Sequence, residues 1–430
     1  MKKIFLGGPG ACSCHNEKNL LEDIIFDNDD CCLVNDYKIA DIIIVIDTCM
    51  GTYSRIENSI NYIKRILSNK KSEARVVVSG CILKKLNFDL PKEWVEVLRR
   101  TEQISSDKLI KYILNILEFN IDSRINKTID LPAYSLLSNG VQISPVEGCL
   151  NHCSFCKSTY MDFSLRSVPL EKIELLMDNV CRENEDENKI NFINVHSSNL
   201  SLYGVDLYAS SRAHELLSIL SNIEQVKFIQ ASALINWYPE LLREILNNSK
   251  IKSIFISLES GSERVYNLMN RPISLNKLIE IIKIIRSYRP DIIINTEFIC
   301  GFPTETLDDL NRTIDLIQEL DINPLFIHSY INSPQIHSSK LLQNSPEFNK
   351  KLLRYSKIHL KNQMDRYGDI LINGEMIVLD KNPYMRMYKV MLVDGGIWYV
   401  NYNHFDKEYN IGEIIPKNVS GRSRTLHKKV

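Results

Sequence analysis

Three cysteines, Cys149, Cys153 and Cys156, stand in the segment Glu147-Gly148-Cys149-Leu150-Asn151-His152-Cys153-Ser154-Phe155-Cys156. Thiolates are soft ligands, and an all-thiolate site selects iron–sulfur or zinc. Zinc sites usually come as two CxxC-like pairs or close with histidine, and no second cysteine pair follows nearby. Three thiolates on one short loop can hold three irons of a 4Fe-4S cube and leave the fourth iron without a protein ligand. Phe155, just before the third cysteine, is the kind of residue that shields such a cluster from solvent.

A second set of thiols stands at strand ends. Cys12 and Cys14 follow the strand read at Lys3–Leu6, Cys49 follows Asp41–Ile46, and Cys81 follows Ala74–Ser79. If these strands share one parallel sheet, three strand ends deliver thiols to one edge, where open α/β sheets gather their ligands. Three thiolates again fit a cube with one open iron, with either Cys12 or Cys14 as the third ligand. The plainer reading is small buried hydrophobes, as cysteines often are. Cys31, Cys32, Cys181 and Cys300 need no role, and Cys300 reads as core.

The elements that must position these residues follow from periodicity. Residues 1–125 read as a parallel α/β domain, with helices at Asn19–Phe26 and Ile56–Leu67 between the strands. Residues 135–365 repeat strand then helix. Strands are expected at Gln142–Val146, Ile190–Val195, Val226–Ala231, Ile254–Leu258, Ile292–Ile299 and Leu325–Ser329. Helices are expected at Leu170–Asn184, Leu275–Ser287 and Leu307–Glu319. About six such units make a partial TIM barrel, a (β/α)6 arrangement with its site at the carboxyl ends of the strands. Residues 371–430 carry short strand-like runs at Met376–Leu379, Tyr388–Leu392, Ile397–Asn401 and Gly412–Ile415, and read as a small β-barrel with a basic tail.

Composition sets outer bounds. The chain has 430 residues, too many for one small core, so two or three domains are expected. A formal net charge of −1, with 24% charged and 44% hydrophobic residues, gives no global pull toward nucleic acid. Met1-Lys2-Lys3-Ile4-Phe5-Leu6 runs straight into Gly-Gly-Pro-Gly, too short for a signal peptide. The longest apolar runs are strand-sized, so no membrane span is expected. Eleven cysteines in such a chain read as reduced thiols serving metal sites, which places the protein in the cytoplasm.

The C-x3-C-x-aromatic-C pattern resembles the signature of the radical S-adenosylmethionine (SAM) enzymes. That resemblance implies that the open iron chelates the amino and carboxylate groups of SAM, and that one electron cleaves SAM to a radical that abstracts hydrogen from an unactivated C–H bond. The runs Ala40-Asp41-Ile42-Ile43-Ile44-Val45-Ile46-Asp47-Thr48-Cys49 and Val76-Val77-Val78-Ser79-Gly80-Cys81 resemble the N-terminal domain of the methylthiotransferases within that group. So do Leu165-Arg166-Ser167-Val168-Pro169, Ser201-Leu202-Tyr203-Gly204-Val205-Asp206, Leu268-Met269-Asn270-Arg271 and Gly301-Phe302-Pro303-Thr304-Glu305-Thr306. The terminal β region is similar to the TRAM domain, which in the family helps hold the substrate.

The family modifies tRNA adenosines or a ribosomal-protein aspartate. Membership implies two 4Fe-4S clusters, the second carrying the sulfur to be inserted, with SAM as radical source and methyl donor. It also implies a macromolecular substrate (ribosomal protein, peptide or tRNA) and a flavodoxin- or ferredoxin-type electron donor. Glu259 and Ser257 are then expected at the SAM ribose or amino group, Arg166 at its carboxylate, and Gly301 where backbone approaches the adenine. The substrate is expected in a cleft between the two cluster-bearing domains.

The chain departs from the family in several places. Ala11-Cys12-Ser13-Cys14-His15-Asn16 stands for Gly-Cys-x-x-Asn, Asp47 for Asn, and Thr304 for Gly. Ser257-Leu258-Glu259-Ser260-Gly261-Ser262 replaces a Gln-His pair, and Glu187-Asn188-Lys189 replaces a Gly-Gly pair. Two other readings share the motifs. One is a radical SAM enzyme using its auxiliary cluster for peptide cross-linking or for sulfur insertion without methyl transfer. The other is a non-catalytic iron–sulfur sensor or RNA-binding protein.

Overall fold

The computed structural model describes residues 1–9, 17–26, 28, 30–48, 53–80, 82–83, 91–104, 106–117, 133–137, 140–156, 164–183, 190–333, 336–364, 376–382, 387–392, 397–401, 408–409 and 414–415. The chain forms two compact units, Met1–Ser135 and Leu136–Val430. Among the described residues no helix is long and apolar enough to cross a membrane.

The first unit is built on a five-stranded sheet in the order Cys31–Leu33, Lys2–Gly7, Ile42–Thr48, Arg75–Gly80, Glu102–Gln103, with every pairing parallel. Ile42 through Ile46 are all buried. That continuous apolar run is what a parallel strand covered on both faces requires. The helix Tyr53–Asn69 buries Ile56, Ile60, Ile63 and Ile66 on one stripe. A helix that the sequence reading did not assign, Ser106–Ile116, buries Leu109, Ile110, Ile113 and Leu114 in the same core as Ile4, Ile42 and Ile44.

Lys2–Gly7, Ile42–Thr48 and Arg75–Gly80 therefore lie side by side and run the same way. From their carboxyl ends the chain continues toward Cys12 and Cys14, Cys49, and Cys81. Those four cysteines lie outside the described residues. The approach to two of them is fixed by a clasp. Thr48 pairs with Gly80, and Thr48 Oγ1 donates to the Ser79 carbonyl at 2.6 Å. Gly80 has φ +111°, and a Cβ there would stand 2.5 Å from Thr48 Oγ1. Only glycine permits both the dihedral and the close approach.

The second unit holds a seven-stranded sheet. Six of its strands, Gly140–Ser144, Phe192–Val195, Phe228–Leu234, Ile251–Glu259, Ile293–Cys300 and Asn323–Ser329, pair in parallel in chain order. Ala133–Leu137 flanks the first of them. This is the expected six-unit partial barrel. Helix Leu307–Glu319 begins at a full capping box, Thr306 with Asp309, and Leu275–Tyr288 is capped by Ser274.

One layer of this sheet was not foreseen. TIM barrel interiors are mostly filled by branched apolar side chains. Here Gln142, Asn194, Gln230, Ser253, Asn295 and Asn323 are all buried, one from each of the six strands. Asn194 donates to Gln142 at 2.8 Å, Asn295 to Ser253 at 2.9 Å, and Asn323 to Asn295 at 2.6 Å.

At the end of the chain, Met376–Asn382, Met387–Leu392, Ile397–Asn401 and Ile414–Ile415 form an antiparallel four-stranded sheet. Tyr388 is fully buried there, and its hydroxyl accepts from the Tyr409 amide at 2.9 Å. The rest of the expected terminal barrel falls outside the described residues.

Candidate active site

The cysteine loop leaves the first barrel strand and is held at both ends. Val146–Glu147 pairs antiparallel with Arg166–Ser167. Tyr203 donates its hydroxyl to the Val168 carbonyl at 2.6 Å, and Asp206 accepts from the Ser167 amide at 2.8 Å. The Arg166-Ser167-Val168 and Tyr203-Gly204-Val205-Asp206 segments are thus one brace. Arg166, expected at the SAM carboxylate, lies exposed opposite Glu147 at the base of the loop.

Farther along, Ser154 ties the loop to the barrel rim. Its amide donates to the Met269 carbonyl at 2.9 Å and its hydroxyl to the Leu268 carbonyl at 2.7 Å. Its own carbonyl accepts from the Ser338 amide at 2.9 Å and from Ser338 Oγ at 3.0 Å. Asn270 donates to the His152 carbonyl at 2.7 Å. Phe155 packs on an apolar cluster of Val265, Met269, Phe302, Tyr330 and Ile336.

The thiols are met by donors. Asn199 Nδ2 lies 3.3 Å from Cys149 Sγ, and the Asn151 amide lies 3.4 Å from the same sulfur. Both Asn199 and Asn151 also donate to Asn236 Oδ1 at 2.9 Å. Arg271 Nη1 donates to Cys153 Sγ at 3.2 Å while its Nη2 donates to the Ser257 carbonyl at 2.6 Å. The guanidinium also sits 6.0 Å from the Phe155 ring centroid. Burial works against the Arg271 cation, but the Cys153 thiol and the Glu259 carboxyl outweigh it and keep it charged.

These donors fit a cluster. N–H groups aimed at cysteine sulfur stabilise thiolate charge and tune iron–sulfur sites. Burial, only partly offset by the Arg271 guanidinium, pushes the Cys153 thiol up to about 11, so it is metal coordination that would hold it deprotonated. Among the described residues no three His, Cys, Asp or Glu side chains converge as they would around a single ion. A cube takes each thiolate on a separate iron and does not ask them to.

Ser257 and Glu259 stand at the carboxyl end of the fourth barrel strand, as expected. The pairing slips between them, and Glu259 adopts φ +63°. Burial, reinforced by the nearby Glu297 charge, raises the Glu259 carboxyl above the usual range. Ser257 Oγ donates to Glu297 Oε1 at 3.1 Å. Glu297 Oε2 is 3.1 Å from His328 Nε2. Burial would raise Glu297, but the bonds from His328 and Ser257 outweigh it and hold its carboxyl below the usual range. The neighbour that Gly301 makes room for is Asn349: Gly301 has φ +80°, and a Cβ there would meet the Asn349 side chain at 2.4 Å.

Asn199, Asn236, Glu297 and His328 are not singled out by any sequence motif, and Arg271 stands out only as part of Leu268-Met269-Asn270-Arg271. The available signal was position for three of them, since Asn199 and Asn236 lie just beyond the carboxyl ends of barrel strands and His328 lies next to the end of one.

The model of the Radical SAM superfamily matches residues 143–317. The chain is 26% identical over 415 residues to the ribosomal protein uS12 methylthiotransferase RimO of Alkaliphilus oremlandii, covering 92% of this chain and 89% of that protein. It is 28% identical over 357 residues to the protein of the same name from Thermodesulfovibrio yellowstonii, covering 81% and 77%. Among solved structures, the radical S-adenosylmethionine methyltransferase TsrM of Kitasatospora setae, with cobalamin and a 4Fe-4S cluster bound, is similar with a TM-score of 0.54 at 11% identity. That likeness covers 79% of this chain and 74% of that one. At that identity it is a likeness of fold.

Proposed function

The chain is a radical SAM enzyme and a divergent member of the methylthiotransferase family, and from that premise we propose that it inserts a methylthio group at an unactivated C–H bond of a protein substrate. The observation that carries this is the sheet of the first unit. Three adjacent parallel strands run toward Cys12 and Cys14, Cys49, and Cys81, and the strand order reverses between the first two, the point where open α/β sheets bind their ligands. A second thiolate set suits a reaction that must supply sulfur as well as a radical.

In this reading Cys149, Cys153 and Cys156 hold the cluster that binds SAM, and Cys49, Cys81 and one of Cys12 or Cys14 hold the second. When bound, the first cluster supplies the electron that cleaves SAM, delivered by a flavodoxin- or ferredoxin-type donor. The chain's own groups do the positioning. Asn199 and Arg271 place hydrogen-bond donors on two of the ligand sulfurs. Phe155, on its apolar cluster, keeps water from the loop. Glu259 offers an acceptor for the amino or ribose group of SAM from the strand end. The relatives named for ribosomal protein uS12 support a protein substrate, as does a net charge of −1, which gives no push toward RNA.

Anaerobic reconstitution should give about eight irons per chain, falling to about four in either Cys149→Ala or Cys49→Ala. Reduced enzyme with SAM should yield both 5′-deoxyadenosine and S-adenosylhomocysteine, the second depending on Cys49 and Cys81. Deoxyadenosine without S-adenosylhomocysteine would point to cross-linking or plain sulfur insertion, and neither product to a sensor.

A further inference from the structure

The helix Pro346–His359 follows the last barrel strand and concentrates positive charge. From Pro346 to Met364 the chain holds five cations, Lys350, Lys351, Arg354, Lys357 and Lys361, against one acid, Glu347. Helical spacing sorts them. Leu352, Ser356 and Leu360 are buried on one side, where Cys300 Sγ meets Ser356 Oγ at 3.4 Å. Lys350, Arg354 and Lys361 recur on the opposite side, with Lys351 beside them. These four are exposed, and Lys361 extends the stripe by a turn, where the Met364 amide bonds to the Leu360 carbonyl. Among the described residues no carboxylate pairs with any of the four. Ile358, in the middle of the stripe, is 62% exposed, so the face is open there. Beside it Tyr355 and His359, one turn apart, bring their rings to 3.9 Å. His359 is exposed and Tyr355 half-buried.

The stripe runs from the rim of the barrel to its foot. Asn349 lies against Gly301, just past the carboxyl end of Ile293–Cys300. Gln363 donates to the Ile317 and Ile322 carbonyls at 3.0 and 2.7 Å, beside the amino end of Asn323–Ser329. Lys350 and Lys361 are separated by about 16 Å of helix, which faces about five phosphates of one nucleic-acid strand. An acidic electron carrier has to sit at the cluster rim and gains nothing from a cation at the barrel foot. A polyanion gains from every one. Paired rings beside the cations also give an unstacked base a surface to lie on, and loops and bulges of folded RNA offer such bases where duplex DNA does not.

We propose that the outer face of this helix binds an unpaired RNA segment, its phosphates on Lys350, Lys351, Arg354 and Lys361 and one base on the Tyr355–His359 pair. The face lies on the outside of the barrel, so this RNA is a docking partner and not the group that the radical attacks. The whole-chain charge of −1 conceals it, because a net charge averages over the entire surface.

The test uses reconstituted holoenzyme and fluorescence anisotropy with three labelled probes: an unpaired RNA of about 20 nucleotides, a duplex DNA of the same length, and polyglutamate. Wild type is expected to bind the RNA most tightly, with affinity falling as salt rises. Lys350→Gln combined with Arg354→Gln should weaken that binding about ten-fold and flatten the log–log salt slope by roughly 1.4, two phosphates at about 0.7 each. Tyr355→Leu should weaken it about five-fold or more and leave the slope unchanged. Circular dichroism, iron content and 5′-deoxyadenosine formation from SAM should match wild type in both variants. Unchanged affinity and slope in the double variant overturns the proposal. Equal or tighter binding of polyglutamate overturns it in favour of an acidic protein partner, and tighter binding of the duplex overturns it in favour of DNA. None of these outcomes depends on methylthio transfer, which stands or falls on the S-adenosylhomocysteine assay.

Discussion

Arg271 Nη1 donates to Cys153 Sγ across 3.2 Å, and its second amino group is anchored on the Ser257 carbonyl. A cation on a ligand sulfur favours the more negative, reduced cluster. Arg271→Gln should therefore make the cluster harder to reduce. A charge-assisted bond of about 1.5–3 kcal/mol corresponds to a midpoint roughly 60–130 mV lower for one electron. Asn199→Leu, which removes a neutral donor from Cys149, should lower it by about 40 mV. Redox titration followed by EPR measures both. A midpoint unmoved in Arg271→Gln would leave the guanidinium a purely structural anchor.

The Thr48–Gly80 clasp gives a prediction for the first unit. Gly80→Ala forces an alanine to φ +111° and drives its Cβ onto Thr48 Oγ1. Backbone strain of this kind costs on the order of 1–3 kcal/mol, and the collision adds to it. Thermal unfolding should show a lowered transition. The variant should also load less iron than wild type while keeping Cys149, Cys153 and Cys156 occupied.

Thr304 adopts φ +67°, a conformation that favours glycine, the residue the family resemblance leads one to expect there. Arg264 holds it in place, donating to Thr304 Oγ1 at 3.0 Å and to its carbonyl at 2.8 Å, and pairing also with Asp309. Thr304→Gly should cost little or stabilise by roughly 1 kcal/mol. Arg264→Ala should destabilise the wild type more than it destabilises a Thr304→Gly background. A double-mutant cycle by chemical denaturation reads the coupling. Strict additivity would separate the arginine from the strained turn.

Glu305 carries the pH dependence. Burial, only partly offset by the Gly301 amide, pushes its carboxyl up to about 8, and Oε1 finds no hydrogen-bond partner among the described residues. A carboxyl raised in the folded state is ionised more readily in the unfolded chain. The stability it contributes is full below the unfolded value near 4.5 and is lost as pH rises toward about 8. Glu305→Gln should match wild type near pH 5 and exceed it in melting temperature above pH 8. Parallel melting curves across that range would expose a wrong sign at once.

Elements with a single dominant period were legible in the sequence. The helix Leu307–Glu319 and the strand Ile397–Asn401 fall where periodicity puts them, and Ile42–Thr48 could be found from its apolar run alone. Short edge strands such as Cys31–Leu33 and Glu102–Gln103 carry too few residues for any period to register. Around the candidate site, Cys149, Cys153 and Cys156 stand out in the sequence by type and spacing. Asn199, Asn236, Glu297 and His328 do not, because each acts through a partner far away in the chain. Asn199 meets Cys149 fifty positions distant, and Glu297 and His328 meet across two strands. No local pattern encodes such a meeting.

The belt of Gln142, Asn194, Gln230, Ser253, Asn295 and Asn323 works during assembly as a combination lock. Apolar side chains pack in many arrangements of nearly equal energy, but amide bonds close only when donor meets acceptor. A strand sliding by one residue turns its rung into the helix layer, strands a polar group in oil, and breaks its neighbours' bonds as well. Such bonds tie Gln142 to Asn194 and Ser253 through Asn295 to Asn323, five of the six strands, and the rim that carries Cys149, Ser257, Glu297 and His328 inherits that alignment.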